Sequence, residues 1–245
     1  MTENPSSPTW SENDSADFID YGRYFVFDRE LQIDTLCSLV PAGDEPFHVL
    51  ELGCGEGLLA EAILERYPAC HLHGLDKSAA MLTAAGRRLS RFGSRFIPQE
   101  FDLAAPDWRK PAFPVRAVVS SLVIHHLDAA QKQQLFRDVY TLLEPGGALL
   151  IADLVLPETE AGVRLAARAY DSAVRERALQ LDGNLTAFEA FQKLNWNYFH
   201  HPDDPLDKPS SLLAQVHWLK EADFKCRDVF WVRAGHAIFG GFKTA

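Results

Sequence analysis

The chain has little sulfur, no long apolar run and a shortage of positive charge. Its four cysteines, Cys37, Cys54, Cys70 and Cys226, are scattered through 245 residues. That density excludes a disulfide scaffold, and no pair has metal-ligand spacing. A reducing, cytoplasmic setting is the simple expectation. No apolar stretch approaches the roughly 20 residues of a membrane span, so no membrane partner is expected. Lysine and arginine total 24 against 34 acids, a formal net charge of −10. This argues against a free-standing nucleic-acid binder, whose surface is normally basic. Arg87, Arg88, Arg91 and Arg95 form one basic cluster, which reads best as a solvated helix face. Residues 1–17 lack the basic start and apolar core of a secretory signal. Rich in Ser, Pro, Asn and acids, they are expected to be disordered.

What is present centres on Val49-Leu50-Glu51-Leu52-Gly53-Cys54-Gly55-Glu56-Gly57. An apolar strand from about Phe47 to Leu52 runs into a glycine-rich turn and then a helix from Leu58. Its apolar density suits a parallel strand buried on both faces. Glycine permits a tight turn and close approach of a ligand to the backbone, and the helix start offers free N–H groups. The dinucleotide fingerprint wants its third glycine three residues after the second. Here that position is Leu58, and Gly57 comes early. Glu51 sits just before the turn, where an acid suits a cationic ligand better than a pyrophosphate. Both features disfavour a nicotinamide oxidoreductase.

The helix Leu58–Arg66 ends at Pro68, and a strand from about Cys70 to Leu75 closes at Asp76. An aspartate at this distance from a glycine turn can accept hydrogen bonds from ribose hydroxyls; it can also cap the helix beginning near Ser78. Met81, one turn in, either packs on adenine or joins the core. Further strands are expected at 95–101, followed by Asp102-Leu103, at 117–122, and at 148–153 after the turn Glu144-Pro145-Gly146-Gly147. Asp128 and Gln131 form a capping box for the helix between the last two. Strands and helices thus alternate over residues 47–153, the pattern of an open parallel α/β sheet with ligands at the strands' carboxyl edge. Glu51, Asp76, Asp102, Ser120, His125 and Asp153 all fall on that edge. Cys54, Lys77 and Leu103 flank these positions and are expected beside the ligand.

An N-terminal helical segment runs from Phe18 to Val40. Its Tyr21-Gly22-Arg23-Tyr24-Phe25 stretch suits either a lid or an amphipathic face packed on the sheet. As a lid, it would bring Tyr24 to the cofactor and Arg23 to the substrate. A long insertion, about 157–209, carries helical spacing at 163–181 and 187–198. The connector Tyr198–Pro205 holds two histidines and two aspartates but matches no strong ligand motif, so no metal is expected.

The spacing Glu51-x-Gly53-x-Gly55-x-Gly57 resembles the first motif of class I S-adenosylmethionine (SAM)-dependent methyltransferases. Leu122-Val123-Ile124-His125-His126-Leu127 and Leu143-Glu144-Pro145-Gly146-Gly147 look like that family's later motifs. The resemblance implies a Rossmann-like sheet of seven strands, the last antiparallel, with a final hairpin from Asp228–Val232 and His236–Phe239. It implies one methyltransferase domain over 18–245, with the insertion as a helical cap. SAM would be the cofactor and S-adenosylhomocysteine (SAH) the product, with Asp102 meeting the adenine amine. The expected activity is methyl transfer to a small molecule, to oxygen or nitrogen rather than carbon, in a monomer or homodimer. His125 is the first candidate for general base, followed by His126. Trp196, Tyr198 and His200 of the cap, with Asp153, are expected near the acceptor. The alternative is a non-catalytic SAM- or SAH-binding or protein-interaction module.

Overall fold

The computed structural model describes residues 10–244 apart from Ala104 and Pro106. Phe47–Leu52 forms the central strand β1, with Val49 and Leu52 fully buried. Helix α3 (Leu58–Arg66) leads to β2 (Cys70–Asp76), then α4 (Ala79–Arg88), β3 (Phe96–Glu100), β4 (Val115–Ser121), α5 (Ala129–Leu142) and β5 (Leu143–Leu154). The sheet order is β3-β2-β1-β4-β5, all parallel, continued by β7 (His236–Phe242) and β6 (Cys226–Arg233). Strand β7 is antiparallel to both β5 and β6, completing the expected seven-stranded sheet. The strand order reverses at β1 and β4. A crevice opens there beyond the strands' carboxyl ends, where such sheets hold ligands.

The two sheet faces carry separate apolar cores. One joins Val49, Leu72, Val119 and Leu150 to α3 and to α2 (Arg29–Leu39). The other joins Leu50, Val118, Leu149 and Phe239 to α5 and to α8 (Leu212–Glu221), capped by Ser211. A third core unites the insertion, α6 (Glu160–Asp182) and α7 (Thr186–Lys193), with Phe25 and Phe27 near the N-terminus. Among the described residues, no helix is long and apolar enough to cross a membrane.

Several boundaries differ from expectation. Helix α1 spans Glu12–Phe25 and so begins inside the stretch expected to be disordered; residues 1–9 lie outside the described residues. A capping box fixes its start, with the Ser11 hydroxyl accepting from the Asp14 N–H and the Asp14 carboxylate accepting in return. Glu12 then accepts hydrogen bonds from Ser78 Oγ (2.9 Å) and the Ala79 N–H (3.2 Å), tying α1 to the N-terminus of α4. The Glu144–Gly147 turn appears as a break in register: Val115 pairs with Leu143, but Ala117 pairs with Ala148. Helix α7 stops at Lys193, short of Tyr198, and Asn195 takes a left-handed conformation at φ 52°.

Between the paired strands β1 and β2, His48 Nδ1 lies 3.1 Å from His73 Nε2, and the Phe113 ring stacks on both imidazoles. Burial lowers the pKa of each, with a neighbouring histidine adding to the effect, and takes His73 down to about 4. The unfolded chain therefore binds more protons between the ordinary histidine pKa of about 6.5 and about 4. Stability is fully present above this window and is lost as pH falls through it. His73→Phe should flatten that loss, seen as a smaller drop in the urea midpoint between neutral pH and pH of about 5. Identical pH slopes in variant and wild type would show that this pair does not carry the effect.

Candidate active site

The glycine turn is drawn toward β2 by the N–H groups of Gly53 and Cys54, which both donate to the Leu75 carbonyl (2.8 and 2.9 Å). Gly55 has φ 52°, and a Cβ there would meet only Met81 Sδ, at 3.9 Å, with open cavity otherwise around it. Gly57 is different: φ is 84° and a Cβ would stand 2.8 Å from Leu89 Cδ1. It lies off the cavity wall, so its glycine serves the packing of α3 on α4 rather than cofactor contact. Asp76 clamps the turn, its two oxygens accepting from the N–H groups of Gly55 (2.8 Å) and Ser78 (2.9 Å). Burial raises its pKa against these hydrogen bonds.

A cavity of about 460 Å³ opens at the switch point. Of the expected cofactor residues, Glu51, Gly53, Cys54, Gly55, Asp76, Lys77, Met81, Asp102 and Leu103 line it. Sequence reasoning missed Trp10, Phe18, Arg29, Ser121 and Lys208, which also line it. The Glu51 carboxyl is 2% exposed, and its Oε2 has no hydrogen-bond partner among the described residues. Burial pushes this carboxyl up to about 8, while Arg29 pulls it down. Burial likewise lowers the Arg29 guanidinium against the pull of Glu51, and Arg29 Nη1 donates to Ser121 Oγ (3.2 Å). An orphaned acid beside a guanidinium fits the ammonium and carboxylate of an amino acid. The open face of Gly55, with Asp76, Met81 and Asp102, leaves room for an adenosine. The residues present therefore fit SAM.

Other expected residues stand elsewhere. Ser120 is fully buried and donates to the Leu52 carbonyl (2.9 Å); Ser121 faces the cavity instead, because successive strand residues point to opposite faces. Tyr24 turns into the third core, where its hydroxyl donates to Asp182 (2.5 Å). Arg23 is exposed and bonds Tyr24, so neither residue closes over the cofactor. Tyr198 packs in the third core with its hydroxyl donating to Pro202, and His200 pairs with Asp171 (2.8 Å) half-exposed; neither lines the cavity. Trp196 stands one ring behind the wall, edge-on to Trp10 and stacked on Phe18.

The histidine pair separates by role. His126 lines the cavity, whereas His125 is 8% exposed and lies behind it. Asp153 anchors His125 twice, accepting from its backbone N–H (3.0 Å) and lying 2.5 Å from Nδ1. This makes Asp153 a buried partner of His125 rather than a residue of the cavity wall. Asp207 Oδ1 sits 3.5 Å from His125 Nε2 and 3.1 Å from His126 Nδ1. Burial lowers the His125 pKa, but Asp153 and then Asp207 outweigh it and raise the net value. His126 is lowered, first by burial and then by His125, against the pull of Asp207 and Asp153.

Two outcomes follow for cofactor binding. An ammonium beside Glu51 favours its carboxylate, so SAH binding below pH of about 8 should release a proton. The affinity should then weaken as pH falls through that region, and Glu51→Gln should remove this dependence. Calorimetry in buffers of different ionisation heat reads both, and proton-neutral binding would sink the pairing. Gly55→Val should lose SAH binding while remaining folded. Gly57→Val should instead lower the melting temperature, through its clash with Leu89.

Residues 49–147 match the profile of a methyltransferase domain family. A trans-aconitate 2-methyltransferase from Acidovorax sp. strain JS42 is 35% identical over 106 residues, 43% of this chain and 38% of that protein. An uncharacterized methyltransferase from Geobacillus kaustophilus is 34% identical over 113 residues, 46% of this chain and 49% of that protein. The match thus spans under half the length of either relative. In fold, the chain resembles an O-methyltransferase family protein from Burkholderia thailandensis at TM-score 0.67 and 15% identity, covering 96% of this chain and 61% of that one. Human N-acetylserotonin methyltransferase, solved with SAM, aligns at TM-score 0.59 and 17% identity, covering 96% and 57%. The profile match falls on the glycine turn and the β4–β5 region, so residues 49–147 are similar to a methyltransferase domain, and the cavity beside them suits SAM.

Proposed function

We propose that the protein transfers a methyl group to an oxygen or nitrogen atom of a small molecule. The observation that carries this reading is the cavity itself. It joins a zwitterion-binding pair, Glu51 and Arg29, to a histidine on the same wall, His126. SAM supplies a methyl already activated on a sulfonium. The chain's residues hold it, align the acceptor and exclude water. Glu51 and Arg29 take the amino-acid end, and Asp76 and Asp102 take the adenosine end.

The acceptor's lone pair forms the new bond to the methyl carbon, the C–S bonding pair leaves with sulfur, and the acceptor's proton goes to a histidine. His126 is the base in this reading. Its Nδ1 lies 3.3 Å from the Leu206 carbonyl, which can only accept, and 3.1 Å from Asp207. Nδ1 therefore carries the hydrogen, and Nε2 keeps the lone pair. A second reading keeps His125 as base, favoured by the Asp153 anchor that fixes its ring. It requires Asp207 to leave His125 Nε2, and the ring to gain the cavity.

His126→Ala should cost about 10²–10⁴-fold in single-turnover rate with SAH affinity unchanged. The wild-type rate should rise with pH through a value below the ordinary histidine pKa of about 6.5, then stay level. Loss of that limb in His126→Ala supports His126. Its survival there and loss in folded His125→Ala moves the base to His125. A pH limb retained by both variants, with near-wild-type rates, would leave no histidine base. SAH binding without turnover on any acceptor would favour the non-catalytic module.

A further inference from the structure

Once the cofactor's groups are matched, the rest of the cavity wall has its own chemistry. It is aromatic on one side. Trp10 and Phe18 stand edge-on with centroids 6.3 Å apart, and Trp196 backs both at 6.1 and 6.2 Å. Trp10 also lies 5.5 Å from the His126 ring, so the aromatic wall ends at the proposed base. The facing segment brings Leu206 and the partly buried Lys208.

Lys208 is presented by a pinned backbone. Its N–H donates to the His125 carbonyl (2.8 Å), and its own carbonyl accepts from the Lys132 ammonium. The acids of the wall already have other work. Glu51, Asp76 and Asp102 face the cofactor's groups, Glu56 pairs with Arg88 (2.7 Å), and Asp128 caps α5 by accepting from the Gln131 N–H (2.8 Å). Asp207, next in sequence, lies between His125 and His126. With Arg29 beside Glu51 and Lys77 next to Asp76 at the adenosine end, Lys208 is, among the described residues of the wall, the lysine or arginine left for the acceptor. A partly buried lysine on a cavity wall favours an anion, and flat aromatic walls favour a planar ring.

Resting on the methyltransferase reading above, we propose that the acceptor is an aromatic acid. Its ring would lie against Trp10 and Phe18, its carboxylate at Lys208, and its hydroxyl or amino group toward His126. Lys208 and Trp10 are then specificity-determining residues.

The test is calorimetry on protein first saturated with SAH. The probes are the ring isomers of hydroxybenzoate and aminobenzoate, with phenol, tyramine and aliphatic tricarballylate. At least one aromatic acid should bind about tenfold or more tighter than phenol and tyramine, the scale of a hydrogen bond to a charged group. Lys208→Gln should remove the preference for the acid while leaving phenol affinity in place. Trp10→Ala should weaken every aromatic probe and leave SAH affinity unchanged. Equal binding of phenol and the acids, tighter binding of tricarballylate, no binding by any aromatic acid, or an unchanged acid-to-phenol ratio in Lys208→Gln would each overturn the proposal. The initial SAH titration keeps the two readings apart. Absence of SAH binding defeats the methyltransferase reading, whereas SAH binding without an aromatic-acid preference defeats only this one.

Discussion

A carboxylate at the end of a strand buried on both faces cannot hold its charge without a counter-ion, and Glu51 is such a carboxylate. Desolvation is costly enough that the group takes up a proton unless a cation comes near. Arg29, from the start of α2, comes near but leaves Oε2 without a hydrogen-bond partner among the described residues. The cost is concentrated at one buried atom of a side chain that lines the cavity, so a ligand ammonium gains most there. Much of the surrounding structure follows. Helix α2 packs against the α3 side of the sheet and delivers Arg29, and Ser121 orients the guanidinium. The turn after Glu51 stays open because Asp76 holds Gly55 and Gly57 lets Leu89 pack behind it.

The far side of the cavity is made from segments distant in sequence. Trp10 and Phe18 come from the N-terminal helix and the residue before its cap, Leu206 and Lys208 from the end of the insertion. Each is fixed by local polar contacts rather than by the sheet. Glu12 holds α1 on the N-terminus of α4, and the Lys132 ammonium donates to the Lys208 carbonyl and the Ser210 hydroxyl. The insertion's apolar residues pack with Phe25 and Phe27, so the two segments share one core. Changes in that core would therefore reach this side of the cavity without touching Glu51 or Asp76.

The alternation of strands with helices over 47–153 was legible because both periodicities are strong there, and the cavity-lining residues Glu51, Asp76 and Asp102 were legible because the sheet's carboxyl edge follows from the strands. What failed depended on phase or on tertiary contact. Ser120 and Ser121 are indistinguishable by type, and a one-residue error in strand phase exchanges their faces. Arg23-Tyr24 and Arg29 both offer a cation near the N-terminus. The αL residue Asp28 breaks the chain between α1 and α2, and it is Arg29, just beyond it, that lines the cavity. The start of α1 was readable in Ser11 and Asp14 as a capping pair, but the polar composition around them outweighed it. His125 and His126 share a motif, and the Asp153 carboxylate that buries one of them lies 28 residues away. Lys208 had no local signal, since its place is set by backbone hydrogen bonds to His125 and Lys132.

The position of β7 has a consequence for how the chain reaches this state. It lies between β5 and β6, although β6 precedes it in sequence. Until His236–Phe242 has been synthesised, β5 shows an unpaired edge and β6 has no neighbour to join. The residues that line the cofactor cavity come from 10–208, all made earlier. A growing chain thus acquires all the described residues that line the cavity before its sheet can close. Ligand present at that stage would stabilise the partly completed sheet by mass action, whereas an open β5 edge without it invites pairing with another chain.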